Sequence, residues 1–305
     1  MENASPSSAA ARPAQTYRLL AIVAGCVALL VVGFLISITW GQVVALGMIE
    51  GLTEFLPISS TAHLLIGAKL LSFKDDIGGT FEIFIQLGAI LAVIGYYARD
   101  LIGQARALPT SAAVQRFWVN VFVAFLPAAV VGLVLRKWIK QVLFGSPSVI
   151  AWALIIGGIV FIVVERRRAA PAVARSTEQI TLRQALAIGV AQVFALIPGV
   201  SRSGASIVGG LLSGLDRTTA TTFAFYLAIP TLGAATVVDL LGSLSQLTSG
   251  DIGRLAVGTL VSMVIAWLSI GWLLRYVAGH SFVVFGIYRI IVGVAILALV
   301  AVGML

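Results

Sequence analysis

GMIEGLTEFLPISSTAHLLIG, residues 47–67, decides the fold. Apolar residues run into two carboxylates, Glu50 and Glu54, then Pro57, then hydroxyls and a histidine, before the apolar pattern resumes. Hydrocarbon cannot hydrogen-bond a broken backbone or solvate a carboxylate, so in a membrane protein such a segment must line a polar cavity. A second stretch of the same kind, GVAQVFALIPGVSRSGASIVGG at 189–210, carries Pro198 and Arg202. Two interrupted apolar segments in corresponding places of two halves point to a buried binding site.

Composition gives these breaks their setting. The 305 residues are 60% hydrophobic and only 10% charged. Soluble domains carry about 25% charged residues, so the chain reads as a polytopic membrane protein. Its net charge of +8 is concentrated in short loops such as Glu165-Arg-Arg-Arg168. Orientation of membrane helices explains that charge without nucleic acid. The single cysteine, Cys26, lies in an apolar run, which excludes an intrachain disulfide. Residues 1–17, rich in Ala, Ser and Pro, read as a disordered tail, and 18–39 as a retained transmembrane helix rather than a signal peptide.

Beyond that extra helix, residues 40–305 form one membrane domain of two halves, 40–164 and 184–305. Each half begins with a broken segment, 42–71 or 184–212. Spans follow near 81–98, 117–135 and 148–164 in the first half, and near 219–241, 254–275 and 282–304 in the second. Each unbroken span has about the twenty residues that cross a bilayer core. At an offset of 142, Gln42, Ala45, Gly47 and Phe81 match Gln184, Ala187, Gly189 and Phe223, and Glu50 falls on Gln192. The predicted fold is therefore all-α, with inverted repeats, each a re-entrant helical hairpin plus three transmembrane helices. Three spans between two re-entrant hairpins invert the second half relative to the first.

Loop charges predict the orientation. One side receives Arg99, Arg106, Arg116, Arg166, Arg167, Arg168, Arg175, Arg183, Arg217 and Arg275. The other receives Lys69, Lys74, Arg136, Lys137, Lys140 and Arg254, diluted by Asp75, Asp76 and Asp251. The richer side is expected to be cytoplasmic, together with the N-terminus.

The polar residues of the two breaks complement one another. Glu50 and Glu54, four apart, point the same way on a helix. Adjacent carboxylates hold a divalent cation or divide acid and base roles. Ser60 and His63 are three apart, so a serine activated by a neighbouring base, or a nucleophilic histidine, are both open readings. Capping of the helix after Pro57 by Ser59, Ser60 or Thr61 accounts for some of these hydroxyls. In the second break Arg202 stands among Ser201, Ser203, Ser206 and small residues, where backbone N–H groups and a guanidinium fork can meet a phosphate. Inverted repeats with broken helices also suit a transporter. A nucleophile, a histidine and a carboxylate pair beside an arginine are more chemistry than translocation requires.

EGLTEFLPISSTAH at 50–63 and PGVSRSGAS at 198–206 resemble the two signature segments of the undecaprenyl-diphosphatase (bacitracin-resistance) family of bacterial membrane enzymes. FEIFIQLGAILAV at 81–93 and the stretch from Phe282 to Arg289 are similar to that family too. The resemblance, over about residues 40–305, implies hydrolysis of undecaprenyl diphosphate to the monophosphate, the carrier lipid of cell-wall polymers, and bacitracin resistance. It implies a plasma-membrane enzyme with its cavity open to the outer face and a magnesium or calcium cofactor. The implied catalytic residues are Glu54, Ser60, His63 and Arg202. Ser59, Thr61, Ser201, Ser203 and Ser206 would bind the isoprenoid diphosphate, and Glu50 and Glu54 the metal. Three departures, Ala62 before the histidine, Ser206 after the arginine motif and the extra N-terminal helix, remove no reactive group.

Overall fold

The computed structural model describes residues 11–73, 80–143, 146–167, 176–243 and 251–305. Among them all long elements are helices: α1 (Ala11–Ile36), α2 (Ile38–Thr53), α3 (Ser60–Leu70), α4 (Thr80–Tyr96), α5 (Ala98–Ala107), α6 (Ala112–Trp138), α7 (Pro147–Arg167), α8 (Leu182–Val193), α9 (Arg202–Leu212), α10 (Arg217–Ser243), α11 (Ile252–Gly279) and α12 (Val283–Ala301). Five of these, α6, α7, α10, α11 and α12, are long and apolar enough to cross a membrane. A sixth span results if α4 and α5, which meet at a 65° bend, are one crossing. The protein is a multi-pass, all-helical membrane protein.

Several boundaries differ from the sequence expectation. Helix α1 begins at Ala11, inside the stretch expected as a tail, because Ala11, Ala14 and Gln15 favour helix and Pro13 is tolerated in a first turn. Residues 1–10 of that tail lie outside the described residues. Helix α1 also stops at Ile36, not Thr39. Ser37 adopts an extended conformation and its hydroxyl accepts the Trp40 N–H, so it caps α2 instead. The span expected at 81–98 bends at Tyr97 into α5, which buries no residue and carries Arg99, Asp100 and Arg106. Of the loop charges used for orientation, Lys74, Asp75, Asp76, Arg168 and Arg175 fall outside the described residues.

Two helical hairpins, α2–α3 and α8–α9, form the centre. In the first, Gln42 Nε2 donates to Leu71 O at 2.7 Å; in the second, Gln184 Nε2 donates to Ser213 O at 2.9 Å. Donor and acceptor both repeat at an offset of 142 residues. Thr181 and Gln184 add a capping box at the start of α8. Helix α11 packs along α2 and α4, α6 packs along α8, and α7 packs on α12. Small residues permit this closeness, as expected where lipid supplies no hydrophobic drive between helices. A Cβ on Gly51 of α2 would stand 2.5 Å from Ser262 O of α11. At one end of the bundle, Arg217 makes a fork to Glu165, with Nη2–Oε2 at 2.6 Å, and the Phe282 N–H donates to Glu165 Oε1. That carboxylate joins the end of α7 to the starts of α10 and α12.

Candidate active site

The hairpins turn over at Pro57 and Pro198, and their second helices start from matching strained residues. Ser59 has φ 72° and ψ 100°; Ser201 has φ 73° and ψ 120°. A non-glycine residue at positive φ costs about 1–3 kcal/mol and persists only where its surroundings hold it. Both serines end a turn and launch an eleven-residue helix, α3 or α9. The tips touch: Ser203 Oγ donates to Leu56 O at 3.0 Å. Two helix N-termini, each with unsatisfied N–H groups and a positive dipole end, are thereby brought to one place.

Glu54 is the meeting point of the two halves. Ser60 Oγ donates to its Oε2 at 2.5 Å, and Arg202 Nη2 donates to its Oε1 at 3.2 Å. Arg202 comes from 148 residues away, and its Nε and Nη1 are buried without a hydrogen-bond partner. Glu50, one helical turn before Glu54 and only 1% exposed, has an Oε1 that is likewise buried and unpartnered. A hydroxyl on a carboxylate, beside a cation with two uncommitted donors, is an arrangement that can activate an oxygen and hold an anion.

His63 stands apart from this cluster. Its Nδ1 is 2.7 Å from Ser59 O and its Nε2 is 2.7 Å from the Tyr288 hydroxyl. The partner of Ser60 is Glu54, not the histidine. Ser201 Oγ accepts the Gly204 N–H at 3.1 Å and lies 3.0 Å from Ser203 Oγ. Ser206 is fully buried and donates to Gln192 Oε1, a bond inside the second hairpin. Ser59 is buried, and Thr61 is half-buried in the first turn of α3.

Comparison with known proteins places the chain in a family. The model of the bacitracin resistance protein BacA family matches residues 43–295. An undecaprenyl-diphosphatase of Albidiferax ferrireducens is 51% identical over 256 residues, 83% of this chain and 92% of that protein. One from Methylobacillus flagellatus is 51% identical over 257 residues, 83% of this chain and 95% of its own length. One from Deinococcus radiodurans is 46% identical over 269 residues, 87% of this chain and 97% of its own length. The chain belongs to the BacA family.

In this BacA-family protein the largest omission of sequence reasoning is Arg289. It is fully buried, and its Nη1 donates to Pro57 O (3.1 Å) and Val200 O (2.9 Å), one carbonyl from each hairpin tip. Its Nη2 reaches Gly199 O and Ala153 O, and its Nε reaches Leu154 O. Gly157 of α7 leaves room for the guanidinium; a Cβ there would collide with Nη2. The signal was present, since Arg289 is the only charged residue of α12 and an intramembrane arginine is a functional candidate by default. Tyr288 offered no such signal, because a half-exposed tyrosine in an apolar helix reads as packing.

Carboxylate oxygens are donors of the kind that hard divalent cations take. Glu50 Oε1 lacks a partner, and both oxygens of Glu54 already face Ser60 and Arg202. Among the described residues no group of three or more His, Cys, Asp or Glu side chains assembles. Magnesium is commonly bound through one or two carboxylates plus water and substrate phosphates, whereas calcium takes six to eight oxygen ligands.

Proposed function

We propose that the protein hydrolyses undecaprenyl diphosphate to undecaprenyl phosphate and phosphate in the bacterial plasma membrane. The carrier lipid returns to cell-wall polymer synthesis, and bacitracin resistance is expected with it from the family. The observation that carries the reading is the Ser60–Glu54–Arg202 chain, with two guanidinium donors left over for a phosphate. The two hairpins are re-entrant and belong to inverted repeats, residues 40–164 and 184–305. The matching Gln42 and Gln184 bonds and the paired Ser59 and Ser201 conformations support that reading. The N-terminus is cytoplasmic, the reading that loop charge supports, and the site opens to the outer face, as the family resemblance implies.

In the chemical step Ser60 Oγ attacks the terminal phosphorus while its proton passes to Glu54 Oε2. The bond from that phosphorus to the bridging oxygen breaks, and the bridging oxygen leaves on the lipid monophosphate. Arg202 binds the transferring group through Nε and Nη1 and balances the charge that develops there. Water then attacks the phosphoserine, the P–Oγ bond breaks, and Glu54 returns its proton to Oγ. Of the two water protons, one stays on the phosphate and one goes to solvent. Glu50, with Glu54, would hold a divalent cation, which when bound would neutralise diphosphate oxygens. Ser201 and Ser203 set the first turn of α9, so they shape the anion site through its backbone.

Purified protein in detergent, supplied with magnesium and undecaprenyl or farnesyl diphosphate, is expected to release one phosphate per lipid. Lipid that remains diphosphorylated while soluble nucleotides are cleaved would overturn the reading.

A further inference from the structure

The two strained serines are restrained by different means, and the difference assigns a role to a residue outside both hairpins. Ser201 is held locally: its own hydroxyl caps the Gly204 N–H. Ser59, in the same backbone conformation, makes no side-chain cap. Its carbonyl is instead bound by His63 Nδ1, four residues on, at 2.7 Å. A carbonyl can only accept, so Nδ1 carries the proton. If the ring is neutral, Nε2 is then an acceptor, and the Tyr288 hydroxyl, 2.7 Å away on α12, is placed to donate to it. The rings lie parallel within 3°, with centroids 5.6 Å apart. Tyr288 adjoins Arg289, which grips Pro57 O two residues before Ser59. One turn of α12 thus reaches the first hairpin tip twice, through the guanidinium and through the phenol.

We propose that Tyr288 and His63 are a positioning pair that fixes the Ser59 carbonyl and so aims Ser60 Oγ at Glu54. Tyr288 selects the tautomer, His63 transmits it to the backbone, and neither touches the reacting phosphorus. The pair deepens the reading above, resting on Ser60 as nucleophile, and it moves His63 from proton transfer to support.

The test combines a spectroscopic readout with kinetics. Histidine labelled with ¹⁵N gives two resonance sets, because the chain has two histidines, and His63→Gln assigns the one that disappears. Wild-type His63 is expected as the neutral Nδ1–H tautomer, and Tyr288→Phe is expected to convert it to a mixture. On a prenyl diphosphate, Tyr288→Phe lowers kcat about five- to tenfold with KM within twofold. His63→Gln, whose amide can still donate to the Ser59 carbonyl, keeps at least a hundredth of wild-type kcat. The double variant is no worse than His63→Gln alone, since both residues act through one contact. An unchanged His63 spectrum and kcat in Tyr288→Phe would overturn the proposal, as would loss of turnover in His63→Gln as complete as in Ser60→Ala. Were the wild-type protein to release no phosphate at all, the functional reading would fail, while the tautomer spectrum would still decide for or against the pair.

Discussion

The two hairpins share a backbone and divide the chemistry. Each has a polar-interrupted first helix, a proline turn, a serine at positive φ and an eleven-residue second helix. At the first position of that second helix one has Ser60 and the other Arg202; at the matching position near the end of the first helix, one has Glu50 and the other Gln192. Acid and nucleophile come from one half, cation and neutral amide from the other. Two hairpins of similar backbone therefore bring opposite charges to one point at Glu54, where a single hairpin would collect like charges. The difference teaches that one hairpin geometry can carry complementary side chains at matching positions.

The largest expected effect comes from exchanging a charge across that divide. Arg202→Ala should lower kcat by roughly 10³-fold or more, the scale of a lost electrostatic donor. Arg202→Lys should recover less than tenfold, because an ammonium cannot reproduce the fork. Phosphate release under saturating lipid measures both, and near-normal turnover in the lysine variant would break the assignment of the second hairpin as an anion clamp.

Arg289 tests whether the hairpins are held as a pair. Arg289→Met leaves Pro57 O and Val200 O without their shared donor. Loss of about 3 kcal/mol or more is expected from orphaned buried groups, read as a lower apparent Tm in detergent. Gly157→Ala should destabilise in the same direction, because its methyl occupies the guanidinium's place. Retention of wild-type Tm by both variants would mean that the tips hold together without this arginine.

The smallest effects separate the two serines. Ser201→Ala removes a cap and should cost about 1 kcal/mol, whereas Ser59→Ala, with no capping bond to lose, should cost close to nothing. Ser59→Gly relieves the positive φ, so His63→Gln should lower kcat less in that background than alone. Equal stability losses at Ser59 and Ser201 would erase the asymmetry.

Much of this was legible in the chain. Pro57 and Pro198 marked the turns, and Glu50, Glu54, Ser60 and Arg202 stood out as candidates because charged and hydroxyl groups in apolar segments need a reason. The pairing of Ser60 with Glu54 and not with His63 was not legible. Spacing along a helix fixes which residues share a face, but the Ser59 conformation rotates α3 relative to α2, and no local pattern announces a positive φ at serine. Tyr288 lies 225 residues from His63 and Arg289 lies 232 residues from Pro57, and the packing of α12 on α7 brings them there. The extent of α1 was misjudged because alanine-rich sequence beside prolines satisfies both a tail and a helix start.

The most direct test of the central claim is the site of phosphorylation. Protein quenched in acid and in alkali during a single turnover with a ³²P-labelled terminal phosphate, then mapped by mass spectrometry, should carry acid-stable label on Ser60. Glu54→Gln should slow its formation, and ¹⁸O from labelled water should appear in the released phosphate. Acid-labile label on His63, or water oxygen entering phosphate with no phosphoenzyme at any time point, would contradict the account.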